Sequence, residues 1–379
     1  MDAPPNFTYV DSPDSLKSLV RKLAKAERIA LDTEANSLHQ YYQKVCLVQL
    51  TFDQENYILD PLAELTLDPF LELIAKKPLI FHAGDYDLRM MRASFGFVPH
   101  KPVFDTMLAA QLLGCASIGL VEVARQYLDI ALTKQGQKSD WSRRPLSPAQ
   151  LDYASDDTRY LAQLADTMRG ELEALGRLEW HEESCARMVA AATAESERDD
   201  DDRWRIKGSG LLDRRTLAFV RAVWEWRDEE AQRADRPPFK ILGNIEIIEL
   251  AQWSVAHPES ELEEGPRLPR SCTGPRLAKL KGGLRRARQL PESEWPERRK
   301  RSGLPPVPPE EKALLDRLQK ACAGIGEELG LTASLIASRA TLAQIAHKRP
   351  KSHEALLESA PLMRWQAGLI GPKVLPLFQ

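Results

Sequence analysis

Residues 28–60 read RIALDTEANSLHQYYQKVCLVQLTFDQENYILD. Within them three runs rich in Ile, Val, Leu, Tyr and Phe, at 28–34, 45–52 and 56–60, have the length and composition of strands. Upstream, Leu16, Leu19, Val20 and Leu23 recur at helical spacing behind a cap at Asp14 or Ser15. Downstream, a helix at 69–75 leads to one more short strand at 78–82. Beyond it the patterns are helical only: 87–94, 104–113, 120–128, and a long stretch from Pro148 that continues in broken form to Ala190. That last start is well marked, with Ser147 as N-cap, Pro148 at the first helical position and Gln150 closing a capping box. Strands first and helices after predict an α/β domain with one mixed sheet covered by helices.

The chain has 379 residues, which at roughly 150 per domain corresponds to two or three domains. Fifty-two Lys plus Arg against 55 Asp plus Glu leave a net charge of −3. That near-neutrality is a cancellation: residues 1–200 carry 21 basic and 31 acidic groups, residues 201–379 carry 31 and 24. Such asymmetry points to a nucleic-acid or membrane partner. No apolar run approaches the ~20 residues that span a bilayer, and the opening MDAPP does not read as a signal peptide. A membrane partner is therefore not expected, and the location expected is cytoplasmic. Cys46, Cys115, Cys185, Cys272 and Cys322 are scattered and odd in number, so they read as reduced thiols rather than disulfides or a zinc site.

Residues 191–210 (AATAESERDDDDRWRIKGSG) turn abruptly polar and acidic, as a linker does. After it the chain is helical and repeats itself. A long helix at 214–234, a short one at 244–251 and a Leu-rich unit, RLAKLKGGL at 276–284, recur as 310–329, 332–346 and PLMRWQAGL at 361–369. An offset of roughly 90 residues is too long for a solenoid and fits two tandem helical modules.

Three segments carry chemistry. In a strand, Asp32 and Glu34 point one way and Leu31 and Thr33 the other. Two carboxylates side by side on a covered face repel each other and lose hydration unless cations compensate, and Mg²⁺ or Mn²⁺ suits such oxygen ligands. An exposed strand end with two solvated acids is the alternative. Tyr153 and Asp157, four apart on the helix begun at Ser147, share one face. There a phenol could hold a water beside a carboxylate-bound metal, or the two could be mere surface neighbours. A third acid, Asp87, lies in FHAGDYD (81–87), where strand gives way to helix and open sheets place their ligands. Asp85 competes for its role, either acid could simply cap the helix, and His82 reads as a structural histidine or a substrate contact.

Taken in order, DTE (32–34), HAGDYD (82–87) and DWSRRPLSPAQLDYASDD (140–157) resemble the DEDD exonuclease superfamily, most closely the ribonuclease D family. The resemblance implies a ribonuclease H-like 3′–5′ exonuclease domain at 1–200. It also implies a site made of Asp32, Glu34, Asp87 and Asp157 that holds two divalent ions, Mg²⁺ or Mn²⁺, about 4 Å apart. Asp32 is then the bridging ligand, Glu34 and Asp157 complete the site of the water-activating ion, and Asp87 holds the other largely through water. Tyr153, four residues before the last acid, places the chain in the tyrosine branch and orients the water. The histidine branch has His where this chain has Asp152, and all seven histidines lie outside 101–180. Past the linker, 208–252 with WRDEEAQRADRPPFKIL looks like the HRDC domain, a small nucleic-acid-binding module. The modules are set at 208–295 and, more faintly, 304–379.

The implied activity is metal-dependent 3′→5′ trimming of structured RNA, tRNA precursors above all, releasing nucleoside 5′-monophosphates. The alternatives are a DNA 3′→5′ exonuclease of the proofreading kind and a nucleic-acid-binding protein without catalysis. No protein partner is implied. Residues 266–301 carry 12 Lys and Arg against three acids, so Arg276, Lys279, Lys281, Arg285 and Arg286, with His82, are the candidates for RNA contact. A solvated connector between modules is the other reading of that segment.

Overall fold

The computed structural model describes residues 6–133, 136, 139–194, 202–298 and 308–378. Residues 195–201 of the expected linker and 299–301 of the basic segment lie outside them. The chain forms two compact units, one drawn from Met1–Ala35, Lys44–Ala194 and Val307–Gln379, the other from Asn36–Gln43 and Glu195–Pro306.

Among the described residues the sheet of the first unit has six strands. They are β1 (Thr8–Val10), β2 (Ile29–Ala35), β3 (Val45–Phe52), β4 (Glu55–Leu59), β5 (Leu79–Phe81) and β6 (Val103–Asp105), in the order β1-β4-β3-β2-β5-β6. β2, β3 and β4 are antiparallel neighbours, whereas β1 joins β4, β5 joins β2 and β6 joins β5 in parallel. The turn between β3 and β4 puts Asp53 and Gln54 at positive φ (49° and 64°), the backbone a two-residue hairpin needs. β3 is buried along its whole length because helices cover both faces of the sheet, and its unbroken VCLVQLTF run reflects that.

On one face, α1 (Pro13–Leu23), α2 (Asp68–Ala75) and α3 (Asp85–Phe95) pack over Leu31, Val48 and Leu50. On the other lie α4 (Thr106–Leu112), α5 (Leu120–Leu128), α6 (Pro148–Arg159) and α7 (Leu161–Ala174), over Ala30, Leu47 and Ile80. α8 (Leu178–Thr193) packs against α3 and β6. The expected long helix from Pro148 is thus three helices, broken at Tyr160 and at Gly176, whose φ is +65°.

Three local expectations are corrected. α1 is capped by Ser12, which exchanges hydrogen bonds with Ser15 and leaves Pro13 at the first turn, so neither Asp14 nor Ser15 is the cap. The region after residue 82 is not purely helical, because β6 precedes α4. Asp105 ends that strand and caps the helix, accepting from the N–H groups of Met107 and Leu108 at 2.9 Å each. β1 and β6 are three residues long, too short for alternation to register in the sequence.

The second unit contains α9 (Arg214–Ala234), α10 (Pro238–Ile241), α11 (Asn244–Ala256) and α12 (Gly274–Gln289), closed around Phe219, Val223, Leu250 and Leu280. The segment Asn36–Gln43 belongs to it. Tyr41 donates its hydroxyl to Asp228 (2.9 Å), and the N–H groups of Tyr41 and Tyr42 both reach Asp235 Oδ1.

The chain then returns to the first unit with α13 (Pro309–Leu329), α14 (Ala333–Ile336), α15 (Arg339–Lys348), α16 (His353–Ser359) and α17 (Arg364–Val374). α13, α14 and α15 each start 95 residues after α9, α10 and α11, which is the duplication the sequence suggested. This second copy is fastened to the sheet layer. Trp365 is buried in the cluster that contains Phe104 and Leu164, and its ring stacks on Trp180 at 5.1 Å. Glu183 accepts from the N–H groups of Arg364 and Trp365, which caps α17. Arg177 donates to the carbonyls of Leu112 and Leu329, at 2.7 Å each.

Candidate active site

The strand register sets the site. Ala30, Asp32 and Glu34 alternate onto the face covered by α6 and α7, and Asp32 sits opposite Gln49 of β3. Ser147 and Gln150 close the capping box that starts α6, so Tyr153 and Asp157 fall one turn apart. Asp32, Glu34 and Asp157 each offer a carboxylate oxygen, and the three oxygens lie within 4.8 Å of one another. Tyr153 donates its hydroxyl to Asp157 and packs near Trp141, with ring centroids 6.1 Å apart.

Asp87 arrives from the first turn of α3 and is buried. Its Oδ1 accepts from both the N–H (3.0 Å) and the hydroxyl (2.6 Å) of Thr33, the residue between the two strand acids. Asp85 instead turns outward to pair with Arg89, which separates the two candidates in the HAGDYD segment. Asp105 holds the start of α3, since its Oδ2 accepts the Gly84 N–H at 2.7 Å.

Burial raises all four carboxyl groups, and their charges act on one another. Asp32 stands well above the ordinary range through burial and then the charges of Asp87, Asp157 and Glu34. Burial and the charges of Asp157 and Asp87 push Glu34 up to about 9. Asp157 is raised by burial to about 7, against the hydrogen bond from Tyr153, and Asp87 to about 6, against the bonds from Thr33. Tyr153 is raised by burial and then by Asp157, Glu34 and Asp32, so its phenol keeps its proton at neutral pH. Gln49 is fully buried beside Asp32, yet neither atom of its amide has a hydrogen-bond partner. Clustered acids that repel each other and an orphaned amide at their side are what a hydrated divalent cation would satisfy.

This arrangement predicts a pH signature. Below about pH 4 carboxyl groups are protonated folded or unfolded, and the site is neutral in its effect. As pH rises, the unfolded chain releases these protons first, so the metal-free fold loses stability until pH passes the raised values, that of Glu34 being about 9. Thermal unfolding with and without Mg²⁺ should show the ion raising the melting temperature more at pH 9 than at pH 6. An increment that shrinks as pH rises would contradict the raised carboxyl values.

His82 is largely enclosed, its Nδ1 shares a hydrogen bond with Thr106 Oγ1 at 2.9 Å, and burial lowers its pKa to about 4, so the ring is neutral. The basic candidates lie on α12 of the second unit. Arg276 and Lys279 pair with the buried Glu230, and Lys281 with Glu261 and Glu263, while Arg285 and Arg286 are exposed. Counting charge over 266–301 misses these acids because they lie outside that window. Thr33, Gln49 and Asp105 were not singled out in the sequence. The one signal for Thr33 was a hydroxyl between two acids, and for Asp105 the Asp-Thr pair before a helix.

A family model described as 3′-5′ exonuclease matches residues 7–173, and one for the HRDC domain matches 216–257 and again 311–377. Among curated relatives, a ribonuclease D of Xanthomonas oryzae pv. oryzae is 31% identical over 98% of both chains. A ribonuclease D of Granulibacter bethesdensis is 32% identical over 98% of this chain and 93% of its own. The crystal structure of Escherichia coli RNase D, described as an exoribonuclease involved in structured RNA processing, shares the fold, with a TM-score of 0.74, 24% identity and 99% of each chain covered. With its acid cluster, its mixed sheet and its two helical repeats, the chain belongs to the ribonuclease D family of 3′–5′ exonucleases.

Proposed function

We propose that this chain is a cytoplasmic 3′→5′ exoribonuclease that trims structured RNA, tRNA precursors in particular, with two divalent ions, Mg²⁺ or Mn²⁺, at Asp32, Glu34, Asp87 and Asp157. The observation that carries this reading is the convergence of the Asp32, Glu34 and Asp157 oxygens within 4.8 Å, with Asp87 tethered to the same strand through Thr33. When bound there, divalent ions supply a water of lowered pKa and neutralise charge on the scissile phosphate. The protein's part is placement. β2 and α6 fix three acids, Thr33 fixes the fourth, and the protonated phenol of Tyr153 holds a water beside Asp157. Gln49 offers an amide donor and acceptor to that same hydration shell. We assign the nuclease to residues 1–200 and the helical modules to 208–295 and 304–379. No described helix is long and apolar enough to cross a membrane.

The test is a time course on 5′-labelled RNA and DNA with 3′ overhangs, in Mg²⁺, Mn²⁺ or EDTA. Stepwise 3′ shortening of RNA with either ion and none in EDTA is expected. Tyr153→Phe should slow it about a hundredfold without changing metal affinity, the scale lost when a reacting group is misplaced. Shortening that survives EDTA overturns the metal site, and DNA degraded as fast as RNA overturns the substrate.

A further inference from the structure

The segment Asn36–Gln43, which continues the strand bearing Asp32 and Glu34, walls a pocket of about 340 Å³ in the second unit. Tyr41, Trp224 and Phe239 supply its aromatic lining, and Arg203, Arg227 and Asp228 its charged groups. Phe239 is 57% exposed, unusual for a residue type that folding normally buries. The Arg203 guanidinium lies 6.0 Å over the Trp224 ring. Arg227 is only 6% exposed. Its Nη1 donates to Leu242 O and Asn244 Oδ1, which fixes the side chain in the wall.

These groups select the chemistry of an occupant. The exposed Phe239 ring and the guanidinium plane of Arg203 favour a flat ring. Asp228, already accepting from Tyr41 and Gln232, disfavours a phosphate in the pocket itself. The volume is at the small end for ligand pockets, room for one ring system rather than a helix or a strand. A nucleobase meets these three conditions, and unstacked bases of single-stranded RNA are read in this way by aromatic and arginine planes.

We propose that this pocket binds one nucleobase of single-stranded RNA, stacked on Phe239 beside the Arg203–Trp224 pair. The proposal rests on RNA being the substrate, and it gives the first helical module a base-holding role through stacking in addition to any role of its lysines and arginines.

The experiment uses the full chain in EDTA, where cleavage is not expected, and measures anisotropy of a 5′-labelled single-stranded RNA. Phe239→Ala, an exposed position whose loss leaves the core intact, should weaken binding on the order of tenfold, and Phe239→Trp should keep it. A set of RNAs with a single abasic nucleotide at successive positions should reveal one site that weakens the wild type comparably. The same abasic site should cost the Phe239→Ala variant nothing further. Unchanged affinity in Phe239→Ala, or a flat abasic profile, overturns the pocket. If the wild type shortens RNA in Mg²⁺ while either of those results is found, only the pocket fails. If the wild type neither binds nor shortens RNA, the substrate assignment fails with it.

Discussion

Replacing Asp32 by Asn should lower RNA 3′ shortening by at least about a thousandfold, the scale lost when a group acting on the transition state is removed. The same change should make the metal-free protein more heat-stable. Asp32 lies among Asp87, Asp157 and Glu34, and burial adds to their repulsion. An amide of the same shape keeps the strand and removes one charge from that group. Stability bought at the expense of activity is the usual signature of a site under electrostatic strain. Melting in EDTA at pH 8, beside the activity assay in Mg²⁺, checks both halves. An Asp32→Asn protein that melts lower than wild type, or one within tenfold of its activity, would show that Asp32 is not at the centre of the site.

The second large effect concerns a buried ion pair that precedes α6. Arg144 forks onto Asp60, with Nη2 2.7 Å from Oδ1 and Nε on Oδ2, and also donates to the carbonyls of Cys46 and Trp141. Tyr9 adds a hydroxyl bond to Asp60 at 2.7 Å. One guanidinium thereby ties β3 and the end of β4 to the segment that delivers Tyr153 and Asp157. Asp60 is 5% exposed and Arg144 26%, so Arg144→Met leaves a nearly buried charge unpaired. The loss should be about 2–3 kcal/mol, below the full range for buried pairs because the arginine keeps some solvent. Burial alone would raise the Asp60 carboxyl, but the bonds from Arg144, Tyr9 and the Leu62 N–H hold it below its ordinary value. A lowered folded-state value means stability that is present above the unfolded value and lost as pH falls through the folded one. The gap between wild type and Arg144→Met in denaturant unfolding should therefore be wide at pH 7 and close below about pH 4. A gap that persists in acid would assign the cost to packing instead.

What could be read from the sequence follows the length of each pattern. β3 and the capped start of α6 were legible because six apolar residues in a stretch of eight and a four-residue capping box leave little ambiguity. β1 and β6 were not, since three residues carry no period and neither has the wholly apolar run that marks the equally short β5, while β6 runs straight into α4. Asp32, Glu34, Tyr153 and Asp157 could be paired off by local periodicity alone. That the two pairs face each other depends on packing between elements more than 100 residues apart. Asp87 could not be separated from Asp85 by spacing, because what distinguishes them is the Thr33 hydroxyl on one side and Arg89 on the other. Gln49 was silent for a similar reason. Only register places its amide beside Asp32.

The fastening of the last helices to the sheet layer has a consequence for how the molecule is made. Phe104, Leu164 and Leu172 share their cluster with Trp365, and Arg177 needs the carbonyl of Leu329. A ribosome working from the N-terminus completes the acid-bearing segments by residue 157, with more than 200 residues still to come. Domains ordinarily fold as they emerge. Here one cluster of the sheet layer is completed only by Trp365, so that layer closes after α17 has been made and docked.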